Sequence, residues 1–361
     1  MKPWKVYIRE LQENYYLGEF RSELTIGQDG SHKYVFEKNG QKLFFKEDSV
    51  RRQDLKFGEL FTTFLYKDLG IDKDAFIEYK MAEIEVPDTD YKYKGLISSY
   101  FLPDGAKRLS AWDIKVFNLG KLFGWDLSDY FDNQDKEDDI DEKVEDLITI
   151  EFGGSEYRSS VEDIIQNVKD YAKNYNLEVD IDDIELRLKQ MIVLDFFLVQ
   201  KDRHMGNIEF YEHNGKLHLC PIFDSEYALG LDHEDYYKDT FSSDRKRFRM
   251  RTGLSTAGGT VGTYRDSKLF KHGGIVAVDI LEEVKHDKRI KTLVDKCLKL
   301  DINKQLEDFE KRVTFLKRYQ QDLIKNDFLK RRSKFYEVID ILKKKTGRKD
   351  IYKFKEQEKD C

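Results

Sequence analysis

The chain has 361 residues, 40% apolar and 14% aromatic, enough to bury a substantial core in two subdomains or one large two-lobed domain. Lys and Arg (63) nearly balance Asp and Glu (70), a formal net charge of -7, so no general affinity for nucleic acid is expected. The N-terminus, MKPWKVYIREL, has no apolar signal core, no stretch approaches about 18 apolar residues, and Cys220, Cys297 and Cys361 lack metal-ligand spacing; the expectation is a folded cytoplasmic protein without a membrane span.

Residues 6–9 and 24–26 carry short strand patterns and lead into a loop with Gly27, Gly30, Ser31 and Lys33. A hairpin follows, residues 34–36 and 42–45 around Asn39-Gly40, the strongest short hairpin signal. With that dipeptide as the two-residue turn, Phe36 faces Leu43, Tyr34 faces Phe45, and Lys46 comes opposite Lys33. A lysine is thereby set beside the strand leaving the glycine-containing loop, where glycine admits an anion to the backbone and an ammonium can hold phosphate oxygens. Read alone, such a loop is most often an ordinary turn.

Residues 51–69 keep a helical period with Leu55, Leu60, Phe64 and Leu65 near one face, and Gly70 is a C-terminal stop. Glu59 lies close to that face: it is either an ordinary solvated helical glutamate or a buried one that needs a cation, for which Lys46 is the candidate. Strand patterns return at 76–85 and 93–102, joined at Pro87-Asp88, and Pro103-Asp104-Gly105 breaks them. A sheet with one helix before this break and a mostly helical remainder describe a small lobe of residues 1–103, a larger lobe of 104–342 and a polar tail of 343–361 that frays. The acidic run 132–146 reads as a solvated insertion or helix edge, and 161–176 as a helix. Residues 231–274 are rich in Gly, Ser, Thr and Tyr around a basic cluster at 245–251, which suits either a mobile segment beside a site or a solvated basic surface; 275–342 is again helical in period.

The chemistry-bearing stretch is 183–224, an apolar helix over 183–200, a polar loop KDRHMGN, and a hairpin turning at Asn214-Gly215. Counting back from the turn sets Asn207 beside Ile222, with Asp224 just past it, and Asp202 lies on the loop five residues before the Asn. An amide and a carboxylate at one end of a hairpin suit a hard divalent ion completed by substrate phosphates, and the second Asp, Asp202, can accept a proton. This is the layout of phosphoryl transfer, with two metal ligands and a loop Asp that orients or deprotonates the attacking hydroxyl; a surface loop with incidental Asp and Asn is the plainer alternative. His204 is assigned to holding the shape of the loop.

Taken together these segments resemble the HipA-like serine/threonine kinase family. Asp202-Arg203-His204-Met205-Gly206-Asn207 fits its D-x-H-x-x-N loop, Pro221-Ile222-Phe223-Asp224 its metal-binding P-x-[FY]-D, and Phe45-Lys46 its strand lysine. Glu59 before Gly70-Ile71 fits its helix, and Ile97-Ser98-Ser99-Tyr100-Phe101-Leu102 its hinge strand. The resemblance covers about residues 20–275 and is nearer to the short, free-standing members than to the larger toxins with an N-terminal subdomain. It implies an α+β, protein-kinase-like bilobal fold with a β-rich small lobe and a mainly helical large lobe. It further implies Asp202 as catalytic base with His204 beside it, Asn207 and Asp224 as Mg2+ ligands, Lys46 as phosphate clamp supported by Glu59, and Ser99 and Phe101 against the adenine of ATP. The expected substrate is a protein Ser or Thr hydroxyl, its own included, and neither nucleic acid, a membrane nor an antitoxin-type partner is indicated. A phosphoinositide-type lipid kinase shares the K-D-R-H-x-G-N spelling, but Ser225-Glu226 follow Asp224 where those enzymes have Phe-Gly. The same residues would also suit a small-molecule kinase or a nucleotide-binding pseudokinase.

Overall fold

The computed structural model describes residues 13–16, 23–26, 32–38, 40–47, 55–85, 92–127, 140, 143, 160–198, 200, 203, 205–223, 225, 228, 274–312 and 318–347. The expected strand at 6–9, the loop residues Gly27, Gly30 and Ser31, the segment 231–273, Cys361 and most of the acidic run lie outside these residues. Asp202, His204 and Asp224 also lie outside them.

The small lobe is built on a six-stranded sheet of β1 (Glu13–Tyr16), β2 (Glu23–Ile26), β3 (His32–Lys38), β4 (Gln41–Glu47), β5 (Lys80–Glu85) and β6 (Lys92–Ser99). Its order is β1-β5-β6-β4-β3-β2, with β1 parallel to β5 and the other neighbours antiparallel. Gly40 turns the β3–β4 hairpin at φ 76°, and the register pairs Tyr34 with Phe45, Phe36 with Leu43 and Lys33 with Lys46, as the turn count predicts. Beside the lysine, Glu47 faces Gly95 on β6. A Cβ at Gly95 would stand 2.1 Å from the Lys46 carbonyl oxygen, so β6 approaches β4 this closely only with glycine there.

Helix α1 (Leu55–Leu69) packs under this sheet and stops at Gly70, whose φ of 66° lets the Ile71 N–H return to the Tyr66 carbonyl. The strand expected over 76–85 starts only at Lys80. Residues 71–79 form a loop whose backbone is satisfied elsewhere: Phe76 bridges Ile222 in parallel, the Ile77 N–H donates to the Ile222 carbonyl, and the Ile222 N–H donates to the Ala75 carbonyl.

The larger lobe contains more sheet than its apolar periodicity suggests. Strands β7 (Lys107–Ser110), β8 (Glu178–Val179), β9 (Glu209–His213) and β10 (Lys216–Leu219) form a second sheet in the order β7-β9-β10-β8. Its helices are α2 (Ala111–Phe123), α3 (Val161–Tyr175), α4 (Ile181–Phe197), α5 (Gly274–His286), α6 (Lys288–Lys299), α7 (Ile302–Arg312) and α8 (Arg318–Thr346). Ser110 with Asp113 and Ser160 with Asp163 form capping boxes on α2 and α3. The tail expected to fray from Lys343 continues as helix to Thr346. Of the acidic run, Ile140 is buried rather than solvated.

Two cores hold these parts. One packs the second sheet against α2, α3 and α4. The other joins α1 and Leu96 of the first sheet to the inner faces of α4 to α8, so the apolar interior is continuous from the small lobe into the large one. Among the described residues no helix is long and apolar enough to cross a membrane.

Candidate active site

Lys46 reaches the interior because β4 alternates: Leu43 and Phe45 are buried on one face, and Lys46 lies on the other, opposite Leu96 and over α1. Its ammonium donates to Glu59 Oε1 at 3.5 Å, and the two residues are only 5% and 1% exposed. Of the two roles open to Glu59 on its sequence pattern, the buried partner of Lys46 is therefore the one observed. The separation exceeds the about 2.8 Å of a tight charge-assisted bond, so the pair is held mainly by Coulomb attraction in a low-dielectric site. The Glu59 carbonyl accepts from the Thr62 hydroxyl and shares the Thr63 hydroxyl proton with the Ile77 carbonyl.

The second hairpin turns with Asn214 at φ 51° and Gly215 at φ 75°, and its ladder pairs His213 with Lys216 through to Phe210 with Leu219. One further bond, Cys220 N–H to the Glu209 carbonyl, closes it. There the ladder ends, and the count that sets Asn207 beside Ile222 fails: Asn207 closes a 3-10 turn, Met205–Asn207, and Ile222 pairs with Phe76 instead.

What brings the two chain ends back together is Arg203. This residue is 3% exposed, and its Nη1 donates to the carbonyls of both Asn207 and Phe223, each at 3.1 Å. Its Nε donates to Asp195 Oδ2 at 3.0 Å and its Nη2 to Oδ1 at 3.4 Å, from the last turn of α4. Burial raises the Asp195 carboxyl above the usual range, with Arg203 opposing that shift. Arg203 and Asp195 are absent from the site residues expected on sequence grounds. The available signal is a single carboxylate inside the apolar run MIVLDFFLV, which demands a buried cation. Asn207 is thus joined through one nitrogen to the residue preceding Asp224, so an amide and a carboxylate, the donor set of a hard divalent ion, are carried by adjoining segments.

Ser99 and Phe101 lie two and four residues past Ile97, which closes the β5–β6 ladder opposite Lys80, while the Tyr100 N–H is taken by the Lys42 carbonyl. Both border a cavity of about 1180 Å3 that also meets Phe76, Arg187 and His218, and neither Lys46, Glu59 nor Asn207 lines it. Lys33 stands opposite Lys46 in the ladder. Cys220 and Cys297 are free and buried, and burial pushes the Cys297 thiol up to about 12, which leaves it inert as a nucleophile.

No family model and no curated protein matches the chain. Among solved structures it is similar to the Helicobacter pylori proinflammatory kinase CtkA, with a TM-score of 0.53 and 12% identity over 91% of this chain and 100% of that one. A HipA from Shewanella oneidensis MR-1, in complex with HipB and operator DNA, follows at TM-score 0.42 and 11% identity over 94% and 68% of the two chains. The choline kinase LicA from Streptococcus pneumoniae stands at TM-score 0.24 and 13% identity over 88% and 93%. Only the first of these likenesses bears on the fold, and at that identity it concerns architecture, not activity. The architecture is a kinase-like bilobal α+β fold, with a small β-rich lobe and a larger, mainly helical one.

Proposed function

We propose that the chain is an ATP- and magnesium-dependent phosphotransferase of the HipA-like type, which phosphorylates Ser or Thr hydroxyls on proteins, its own included. The observation that carries this reading is the Arg203 Nη1 shared by the carbonyls of Asn207 and Phe223, because it sets the Asn against the residue before Asp224. Asn207 and Asp224 would hold Mg2+, which when bound neutralises charge on the transferring phosphoryl group. Lys46, paired with Glu59, binds the nucleotide phosphates together with Gly27, Gly30, Ser31 and Lys33. The backbone at Ser99 and Phe101 receives adenine. Asp202 takes the proton from the acceptor hydroxyl, and His204 keeps the loop in place. The lobe boundary at Pro103 and a cytoplasmic location belong to the same proposal, the latter supported by two buried, reduced thiols.

The test is incubation with γ-labelled ATP and magnesium, alone and with a protein mixture, beside the Asp202→Asn variant. Label on protein that falls at least about 100-fold in the variant, with nucleotide affinity kept, is the expected result. ATP consumption without protein label would turn the reading towards a lipid or small-molecule hydroxyl, and nucleotide binding without consumption towards a pseudokinase. Wild-type turnover by Asp202→Asn would remove the base assignment.

A further inference from the structure

Thr63 stands on α1 one turn after Glu59 and is 5% exposed. Its hydroxyl reaches the Glu59 carbonyl at 3.0 Å, an ordinary bond for a threonine inside a helix. The same oxygen lies 3.2 Å from the Ile77 carbonyl and accepts the Tyr79 N–H at 3.4 Å, which a routine helical threonine does not do. One buried side chain therefore ties the turn of helix that carries Glu59 to the loop leading into β5. The Tyr66 ring adds an edge-on contact with Phe76 of that loop, 5.3 Å between ring centres.

The far side of the loop belongs to the large lobe. The Ile77 N–H donates to the Ile222 carbonyl at 2.9 Å, and the Ile222 N–H donates to the Ala75 carbonyl at 2.8 Å. From α4, Arg187 donates to the Asp74 carbonyl at 3.4 Å and to the Leu219 and Cys220 carbonyls at 3.2 Å each. Ile222 is followed by Phe223, whose carbonyl shares Arg203 Nη1 with that of Asn207. A run of hydrogen bonds, interrupted only by the peptide link from Ile222 to Phe223, thus leads from Glu59 through Thr63, Ile77 and Arg203 to Asn207. Ala75, Phe76 and Ile77 are all buried, so this loop is packed as a joint between the lobes.

We propose that Thr63 is a positioning residue: through the loop 75–77 its hydroxyl sets α1, and with it Glu59 and Lys46, against the segment 222–223 that Arg203 joins to Asn207. This rests on the reading of Lys46 as the phosphate clamp and of Asn207 as a metal ligand. The role needs an oxygen that can donate and accept at once on a short side chain, which serine also supplies and valine, of nearly the same shape, does not.

The experiment compares wild type, Thr63→Val and the conservative Thr63→Ser, each also in a Glu59→Gln background. Two quantities are read: affinity for a non-hydrolysable ATP analogue without metal, and amide exchange over 75–80 and 219–223. Thr63→Val is expected to weaken the analogue about 5-fold, the loss of one buried hydrogen bond, and Thr63→Ser to stay within about 2-fold of wild type. Exchange should quicken in both segments of Thr63→Val, although 219–223 belongs to the other lobe. In the Glu59→Gln background the valine substitution should change affinity by less than about 2-fold, because Thr63 acts on the nucleotide through Glu59. Should Thr63→Val unfold, Thr63→Ser against Thr63→Ala gives the same comparison in a smaller side chain. Analogue affinity unchanged without the hydroxyl, an equal loss in the Glu59→Gln background, failure of serine to restore it, or exchange that quickens in 75–80 alone would each overturn the proposal. If the expected pattern is found but wild type transfers no phosphate, the kinase reading falls and the role of Thr63 stands. If transfer is normal and the hydroxyl makes no difference, the role of Thr63 falls and the kinase reading stands. A wild type that binds no nucleotide overturns both.

Discussion

The two hairpins of this protein begin alike and deliver their functional residues by different means. In the β3–β4 hairpin the ladder runs unbroken from Lys38 opposite Gln41 to Lys33 opposite Lys46, so sheet register alone carries the lysine to its place. In the β9–β10 hairpin the strand pairs run only from His213 with Lys216 to Phe210 with Leu219, and the chain ends then separate, Asn207 into a 3-10 turn and Ile222 onto Phe76. A buried guanidinium replaces the missing ladder. Register places a side chain as far as backbone pairing lasts, and past that point a tertiary contact must do it.

The largest effect should come from removing that contact. Arg203→Met leaves Asp195 buried without its guanidinium partner and two loop carbonyls without their donor, a loss of about 3–5 kcal/mol in denaturant unfolding. Coupling it to Asp195→Leu should recover a large part of the loss, because the ion pair is then replaced by apolar groups. The first hairpin and the strand β6 beside it should prove more tolerant. Gly95→Ala drives a Cβ into the Lys46 carbonyl, and we expect about 1–3 kcal/mol with weakened nucleotide binding, whereas Gly40→Ala meets no neighbour within 4 Å. The latter should cost only about 1 kcal/mol, from its positive φ, and leave nucleotide binding unchanged.

The smallest effect concerns His218 on β10, whose ring stacks on Tyr211 at 4.8 Å. Desolvation, then Lys216, His213 and Arg187, lower its pKa from the ordinary 6.5. The unfolded chain therefore takes up the proton first as pH falls, so the contribution present above about pH 6.5 is lost as pH drops through the lower folded value. A shallow decline of thermal stability in acid, absent in His218→Gln, is the expected outcome.

These contrasts also mark how far the amino-acid sequence could be read. Asn-Gly turns, the helical period of α1 and the glycine that stops it located Lys46 and offered its pairing with Glu59, because those signals are local. The strand starting at 80 rather than 76 was not legible, since Phe76 is claimed by a residue 146 positions away in the chain, Ile222. Helix α2 went unread although Ser110, Asp113 and Gly124 spell its start and stop. The Arg203 contacts depend on how α4 packs, which no spacing within the loop reveals.

The most direct test of the metal site is Mn2+ binding followed by electron paramagnetic resonance, with an ATP analogue, in wild type, Asn207→Ala, Asp224→Asn and Lys46→Met. The expected result is nucleotide-dependent Mn2+ binding in wild type, at least about 10-fold weaker in each of the first two variants, and weaker analogue binding in Lys46→Met even without metal. Mn2+ affinity that survives unchanged in both Asn207→Ala and Asp224→Asn would contradict the assignment of these two residues as metal ligands.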